Sequence, residues 1–368
     1  MPTTPQAQGR ALIDFDGNRE NNFTVLRMTL AWLVLYGHSF PIVRAPGVRD
    51  PLNQIFQGSI WIGELAVNGF FAISGFLVAA SLIRRGVVDY TISRVLRIFP
   101  ALILCVLAMV YVLGPLMTSL DLGTYLQHPR TLSYLYNAAA FFQMQFDLPG
   151  VFKELPMSGV NGSLWSLTAE VRCYLLLAAA GLLHLVHYRG LANLLLVAAI
   201  VLGFYHYSDL PLLGFNARFG RPALFFAVGV LFYLNRDKII LDGRLALAAA
   251  FATFYSFGTP WSQYVFPAAF TYLLFYLAYR TPHMDLDSRL GDLSYGIYIY
   301  AWPVQQLVRM YLPHEGPYMN TLVSTPIVFA LAWLSWHWVE KPVLARKQDV
   351  MATVHRLKTR MLPGSNQQ

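Results

Sequence analysis

Apolar runs of near-membrane length, separated by short polar or basic stretches, repeat along most of the chain. A helix needs about 20 mostly apolar residues to cross a bilayer. The segments that approach this length are 23–43, 60–83, 95–116, 164–186, 190–207, 219–234, 244–258, 263–280, 292–312 and 321–341. They predict an all-α fold: a polytopic membrane helix bundle of about ten transmembrane helices. The segment 131–146 is too short and polar to span and reads as an interfacial or re-entrant helix. Residues 1–22 are polar and carry no apolar stretch of signal-peptide type, so the first apolar run reads as an uncleaved first helix. The division that follows is an N-terminal cytoplasmic segment 1–22, an integral membrane domain 23–343 and a basic, mobile cytoplasmic tail 344–368.

Composition strengthens the membrane assignment. The 368-residue chain is 56% hydrophobic and 12% charged, with a mean hydropathy of +0.46, where a soluble domain carries about 25% charged residues. Aromatic residues make up 15%, as suits a protein with Trp and Tyr at its interfaces. The net charge of +8 does not point to nucleic acid, because the basic residues sit at the ends of apolar runs and form no single soluble face. Anionic lipid headgroups and phosphorylated ligands suit them better. Lys and Arg concentrate in the loops that include Arg84, Arg85, Arg94, Arg97, Arg189, Arg236 and Lys238, and again after residue 340. Fewer fall on the other side, among them Arg44, Arg49, Arg130, Lys153, Arg218 and Arg221. The positive-inside rule then puts both termini in the cytoplasm. Cys105 and Cys173 lie inside apolar runs and imply neither a disulfide framework nor a metal site.

Titratable groups at membrane depth are expensive, so each is a functional candidate. Arg27 and His38 share the first span. Eleven residues of helix turn about 1100°, so both side chains face one way, about 16 Å apart along the axis. A cation at the cytoplasmic mouth and a base deep along one stripe suit an anionic donor whose reactive end reaches inward. The plainer reading is a snorkelling Arg27 and a hydrogen-bonded core His38. Glu170 lies about 9 Å below the outer end of its predicted helix, and His38 about 7.5 Å below that of its own. Equal depth allows a carboxylate–imidazole dyad; the alternative is a Glu170 that pairs with Arg172 or caps a bundle contact. Arg94 and Arg97, three apart, share a face at a helix N-terminus, a place that favours an anion, although cytoplasmic anchoring also accounts for them. Glu64 and Asn68 share a face of the second span, near the small residues Gly69, Ser74 and Gly75, and read either as helix packing or as a polar lining. His184 and His187 have metal-compatible spacing but no nearby carboxylate, so no metal site is expected there.

Taken in order, these segments resemble the acyltransferase-3 family of integral membrane acyltransferases. Arg27-x10-His38 is similar to its first-helix motif, GFFAISGFLVA to its second-helix signature, and Arg94–Arg97 to its cytoplasmic RxxR. Gly162-Ser163-Leu164-Trp165-Ser166-Leu167 with Glu170, then Ser294-Tyr295-Gly296-Ile297-Tyr298 with Trp302-Pro303, and finally Glu340-Lys341-Pro342 complete the ordered set from residue 23 to 343. One position departs: many relatives carry His where this chain has Ala301.

The resemblance implies a bacterial inner-membrane, multi-pass O-acyltransferase, with acyl-CoA (acetyl-CoA by family habit) as cytoplasmic co-substrate and a glycan hydroxyl as acceptor on the outer side. It implies no tightly bound cofactor and no metal. The partners are then the glycan, membrane lipids and glycan-assembly proteins, without nucleic acid. Some relatives add a C-terminal hydrolase-like domain; this chain is expected to act alone or with a separate partner. In this scheme Arg27, Arg94 and Arg97 hold the CoA phosphates, and His38, oriented by Glu170, is the general base on the acceptor hydroxyl or takes the acyl group itself. Asn68, Ser163, Trp165, Ser166 and Tyr295 line the acceptor side or the pocket. A transporter, or a partner subunit of glycan export, is the competing expectation.

Overall fold

The computed structural model describes residues 9–18, 20–141, 144–206 and 217–361. Each apolar segment coincides with a helix or with one arm of a helix. These are α1 (Phe23–Val43), α2 (Ile62–Ala108), α3 (Trp165–Leu182), α4 (Arg189–His206), α5 (Ala217–Leu234), α6 (Gly243–Ser256), α7 (Ser262–Arg280), α8 (Ser294–Tyr311) and α9 (Pro317–Ser335). The only regular sheet among the described residues is a two-residue pairing, β1 (Arg10–Ala11) with β2 (Ile240–Leu241). Two described helices, Ile62–Met117 and Pro317–Val354, are long and apolar enough to cross a membrane by length and composition.

Helix α2 carries two of the predicted spans in one element. Gly86 interrupts it at φ 78°, ψ 170°, a conformation open essentially to glycine alone. That residue turns the chain where a cytoplasmic loop was expected. Nearer the bundle centre, α2 meets α5 through two glycines. A Cβ on Gly75 would overlap the Phe226 carbonyl, and one on Gly229 would overlap that of Ala72. Close approach through small residues is how helices associate where no hydrophobic drive exists between them and lipid. Helix α1 runs through the interior, with Ala31, Val34, Leu35 and Ile42 fully buried.

In the N-terminal segment β1 pairs with β2, and Asp16 binds Arg236 at 3.0 Å and also Arg84. Arg19 lies outside the described residues. The basic tail forms a further helix, α10 (Lys347–Met361), tethered by Lys347 to Asp89 at 2.8 Å; residues 362–368 lie outside the described residues. The segment 131–146 gives a helix at Pro129–Tyr134 and a 3-10 turn at Leu135–Ala139, not one re-entrant helix. Its buried Asn137 exchanges hydrogen bonds with the Gln145 backbone, at 2.7 and 2.9 Å. Residues 142–143 of that segment lie outside the described residues.

Candidate functional site

Two cavities lie within the bundle, and Val67 of α2 lines both. The outer one encloses ≈ 1000 Å³, the upper part of the range typical for ligand pockets. His38, Asn68, Trp61, Trp165 and Trp302 border it, with the Glu64–Arg221 ion pair on its wall. The inner one encloses ≈ 100 Å³ and collects Arg27, Arg94, Arg97, Glu170, Tyr174 and Tyr295. Arg27 and His38 do share one stripe of α1, as the eleven-residue spacing requires, and each end of the stripe serves a different cavity.

Close packing positions His38. A Cβ on Gly37 would lie 2.7 Å from the Gly63 amide nitrogen, so α1 and α2 touch one residue before the histidine. The imidazole is 4% exposed, stands edge-on to Trp302 at 4.9 Å and lies 5.9 Å from Trp61. Its Nδ1 is buried without a hydrogen-bond partner. Asn68 is fully buried and lacks partners for both its amide oxygen and its nitrogen. Buried polar groups are rarely left unpaired, so two such groups on one cavity mark where a ligand supplies the missing bonds. Asp50 holds the mouth of this cavity, accepting hydrogen bonds from the N–H groups of Asn53 and Ile62 at the starts of two helices. Burial raises its carboxyl above the ordinary range, and those same N–H groups act against the rise.

Glu170 does not meet His38. Its carboxylate accepts from Tyr174, one turn along α3, and from Ser74 at 3.4 Å. The depth comparison fails because α3 does not begin at an outer surface. Its lead-in, Gly162–Leu164, packs under Trp302, with Ser163 and Leu164 buried and a Cβ on Gly162 falling 2.7 Å from the indole. Trp302 also touches His38, so α3 starts level with the histidine. Five residues further along, Glu170 lies about 7.5 Å deeper. Arg172 is not its partner either; that guanidinium donates to the Phe141 carbonyl at 3.2 Å.

The two arginines of the RxxR pair separate in role. Arg97 donates to Asp292 at 2.6 Å and to Glu340 at 2.8 Å, and Asp292 also takes Arg27 at 3.1 Å. Arg94 instead lies over the Tyr174 ring at 5.9 Å. The buried Nε atoms of Arg27 and Arg94 have no partner, which leaves these two guanidinium groups able to take an anion from the inner cavity.

The remaining predicted residues fall on both sides. Trp165 lines the outer cavity, whereas Ser166 and Tyr295, placed on the acceptor side or lining by sequence, belong to the inner one. Ser166 bonds Tyr298 at 2.5 Å, and Tyr295 donates to the Ile98 carbonyl at 3.0 Å. Ser163 lines neither cavity: it is fully buried, and its carbonyl accepts from Tyr298 at 2.9 Å. Ala301 is fully buried in an apolar cluster with Ala31 and Leu35 of α1, so the residue of α8 that faces His38 is its neighbour Trp302. Among the described residues no group of three or more His, Cys, Asp or Glu is placed to hold a metal.

Sequence reasoning missed Asp292, Tyr174 and Trp61. Tyr174 was within reach, since i and i+4 positions meet on a helix. Asp292 is a loop carboxylate whose partners come from two other helices, and only the fold brings them together.

A family model described as an acyltransferase domain matches residues 20–337. The O-acetyl transferase of Shigella phage Sf6 is 28% identical over 354 residues, covering 91% of this chain and 99% of that protein. Nodulation protein 10 of Rhizobium leguminosarum bv. viciae is 29% identical over 371 residues, covering 92% and 97%. No solved structure matches the chain.

Proposed function

Because the chain belongs to the acyltransferase-3 family and is an acyltransferase, we propose that it moves an acyl group, acetyl first, from cytoplasmic acyl-CoA to a glycan hydroxyl. The observation that carries this is the pairing of cavities on either side of Val67. On one side stands an unpartnered buried imidazole in a roomy chamber walled by tryptophans, whose flat faces and polar edges suit a sugar. On the other stand guanidinium groups with free donors, suited to the phosphates of CoA. The narrow inner cavity suits an unbranched arm better than a bulky headgroup.

In the reaction His38 takes the proton of the acceptor hydroxyl as its oxygen attacks the thioester carbonyl. The C–S bond then breaks, and the leaving sulfur receives that proton to depart as the CoA thiol. Arg27 and Arg94 bind the donor's anionic end, and Arg97 holds the frame through Asp292 and Glu340. Glu170 keeps Tyr174, and through it Arg94, in place.

We place the chain as a multi-pass protein of a bacterial inner membrane, as its family resemblance implies, with both termini inside, as the basic loops support. Loop contacts support an even count of crossings. Asp16 meets Arg84 and Arg236, Arg189 meets Asp237, Lys347 meets Asp89, and on the other face Arg44 meets Met157. Each of these ties joins segments with an even number of expected spans between them.

The test is acyl transfer from radiolabelled acetyl-CoA in inverted inner-membrane vesicles, comparing the parent with His38→Ala. Label incorporated into glycan by the parent and lost in the variant is the expected result. Full incorporation by His38→Ala removes the histidine from the chemistry. No incorporation by the parent removes acetyl-CoA as the donor.

A further inference from the structure

The geometry points to Asn68 as the hydrogen-bond donor that holds the oxyanion formed on the transferred acyl group beside His38. This rests on the acyl-transfer assignment above and names the group that stabilises its intermediate.

Among the described residues, Asn68 is the only buried side-chain amide whose nitrogen has no partner. The buried glutamines of α8 show what the fold does elsewhere. Gln305 spends its nitrogen on the Leu35 carbonyl at 2.9 Å, and Gln306 on the Met157 carbonyl at 2.6 Å. Such amides tie helices and loops together. Asn68 ties nothing, although it has no exposed surface at all. Leaving a buried donor and acceptor unmet is costly and is normally avoided, so packing alone gives no reason for an amide here.

Its position supplies one. Asn68 lines the outer cavity with His38 and follows directly on Val67, the residue shared by the two cavities. An acyl group carried from the inner cavity to the acceptor must pass this point. The α1–α2 crossing at Gly37 and Gly63 holds the two helices in contact there. A rigid, desolvated amide is what oxyanion stabilisation requires, because the donor need not reorganise as charge appears.

The acceptor oxygen bonds to the carbonyl carbon and its proton passes to His38. The carbonyl π pair moves onto oxygen, where the Asn68 Nδ2–H groups receive it. The pair returns as the C–S bond breaks, and the sulfur leaves with the His38 proton. Asn68 is unchanged throughout.

The experiment uses the full chain in lipid nanodiscs with acetyl-CoA, a panel of methyl pyranosides as probe acceptors, and released CoA read by a thiol reagent. Asn68→Ala is expected to lower kcat by about 10²–10³-fold, the usual loss for one oxyanion donor. The KM for acetyl-CoA should stay within about twofold, because the bond is made only in the transition state. Asn68→Asp keeps the shape without the donor and should lose as much. The thermal midpoint of Asn68→Ala should hold or rise, since no hydrogen bond is removed. An unchanged kcat, or a loss carried wholly by KM, overturns the proposal. So does an Asn68→Ala variant that fails to fold beside an active Asn68→Asp. A parent that releases no CoA with any probe acceptor instead overturns the acyl-CoA assignment on which the proposal stands.

Discussion

The two cavities differ most in how their polar groups are satisfied. Around the inner one, Arg97 binds two carboxylates, Asp292 binds two arginines, and Glu170, Tyr174 and Ser74 bind one another. Around the outer one, the imidazole and the amide nearest the shared wall have unmet donors or acceptors. On the proposed reading, the contrast separates residues that hold the bundle from residues that meet a reactant. A buried ion network such as that of Arg97, Asp292 and Glu340 resists removal of any member, while the unpaired Nε atoms of Arg27 and Arg94 are the open part of the inner cavity. A buried group without partners contributes little to stability, and its presence is explained by what binds it.

That contrast can be broken most directly at His38. The variant His38→Ala is expected to lose about 10²–10⁴-fold in acyl transfer, the range for one general base, with its thermal midpoint retained in detergent. A large fall in the midpoint with activity intact would reverse the assignment of the two regions. Next in size is Arg97→Ala, which leaves Asp292 and Glu340 facing each other without their shared cation. Its expected cost is about 3–5 kcal/mol in stability, as for breaking a buried pair, read as loss of folded protein in fluorescence-detected chromatography. A well-folded Arg97→Ala with only a raised KM would make Arg97 a donor ligand instead.

Smaller effects sharpen the boundary. Arg94→Ala should raise the KM for acetyl-CoA about tenfold, roughly the 1.4 kcal/mol of one charge-assisted contact, with kcat little altered in steady-state assays. A fall in kcat at constant KM would move Arg94 to the reacting atoms. Glu170→Gln tests the absent dyad. Its effect on transfer should add to that of His38→Ala in a double-mutant cycle, because the two groups share no contact; strong non-additivity would restore the pairing. Least of all, Lys347→Ala removes a partly exposed ion pair to Asp89. It should shift the unfolding free energy by under about 1 kcal/mol, measured by denaturant titration.

Much of this was legible in the sequence, and the gaps have physical causes. Hydropathy located α1 through α9, since each run of apolar residues had to find a helical, internally bonded backbone, but it missed α10, whose polar sequence read as a mobile tail. The spacing of Arg27 and His38 was informative because rotation along one helix is fixed by its own geometry. Pairing Glu170 with His38 failed because it assumed that two helices end at one plane. The buried start of α3 under Trp302 breaks that assumption, and no local pattern reports it. Likewise, Arg94 and Arg97 lie on one face, but what each finds depends on Tyr174, Asp292 and Glu340, from three other parts of the chain. Gly86 was visible as a glycine after two arginines, yet its role as the turn between two arms needed its backbone angles.

The pairing of β1 with β2 bears on the order of assembly. The first strand leaves the ribosome before α1, and its partner follows only after α5. Contacts so distant in sequence close late, because the intervening chain must first be placed. Asp16, held by Arg84 and Arg236, closes on the same schedule. Residues that precede α1 are therefore among the last on that face to be fastened, and their fastening requires that α1 through α5 are already packed in register.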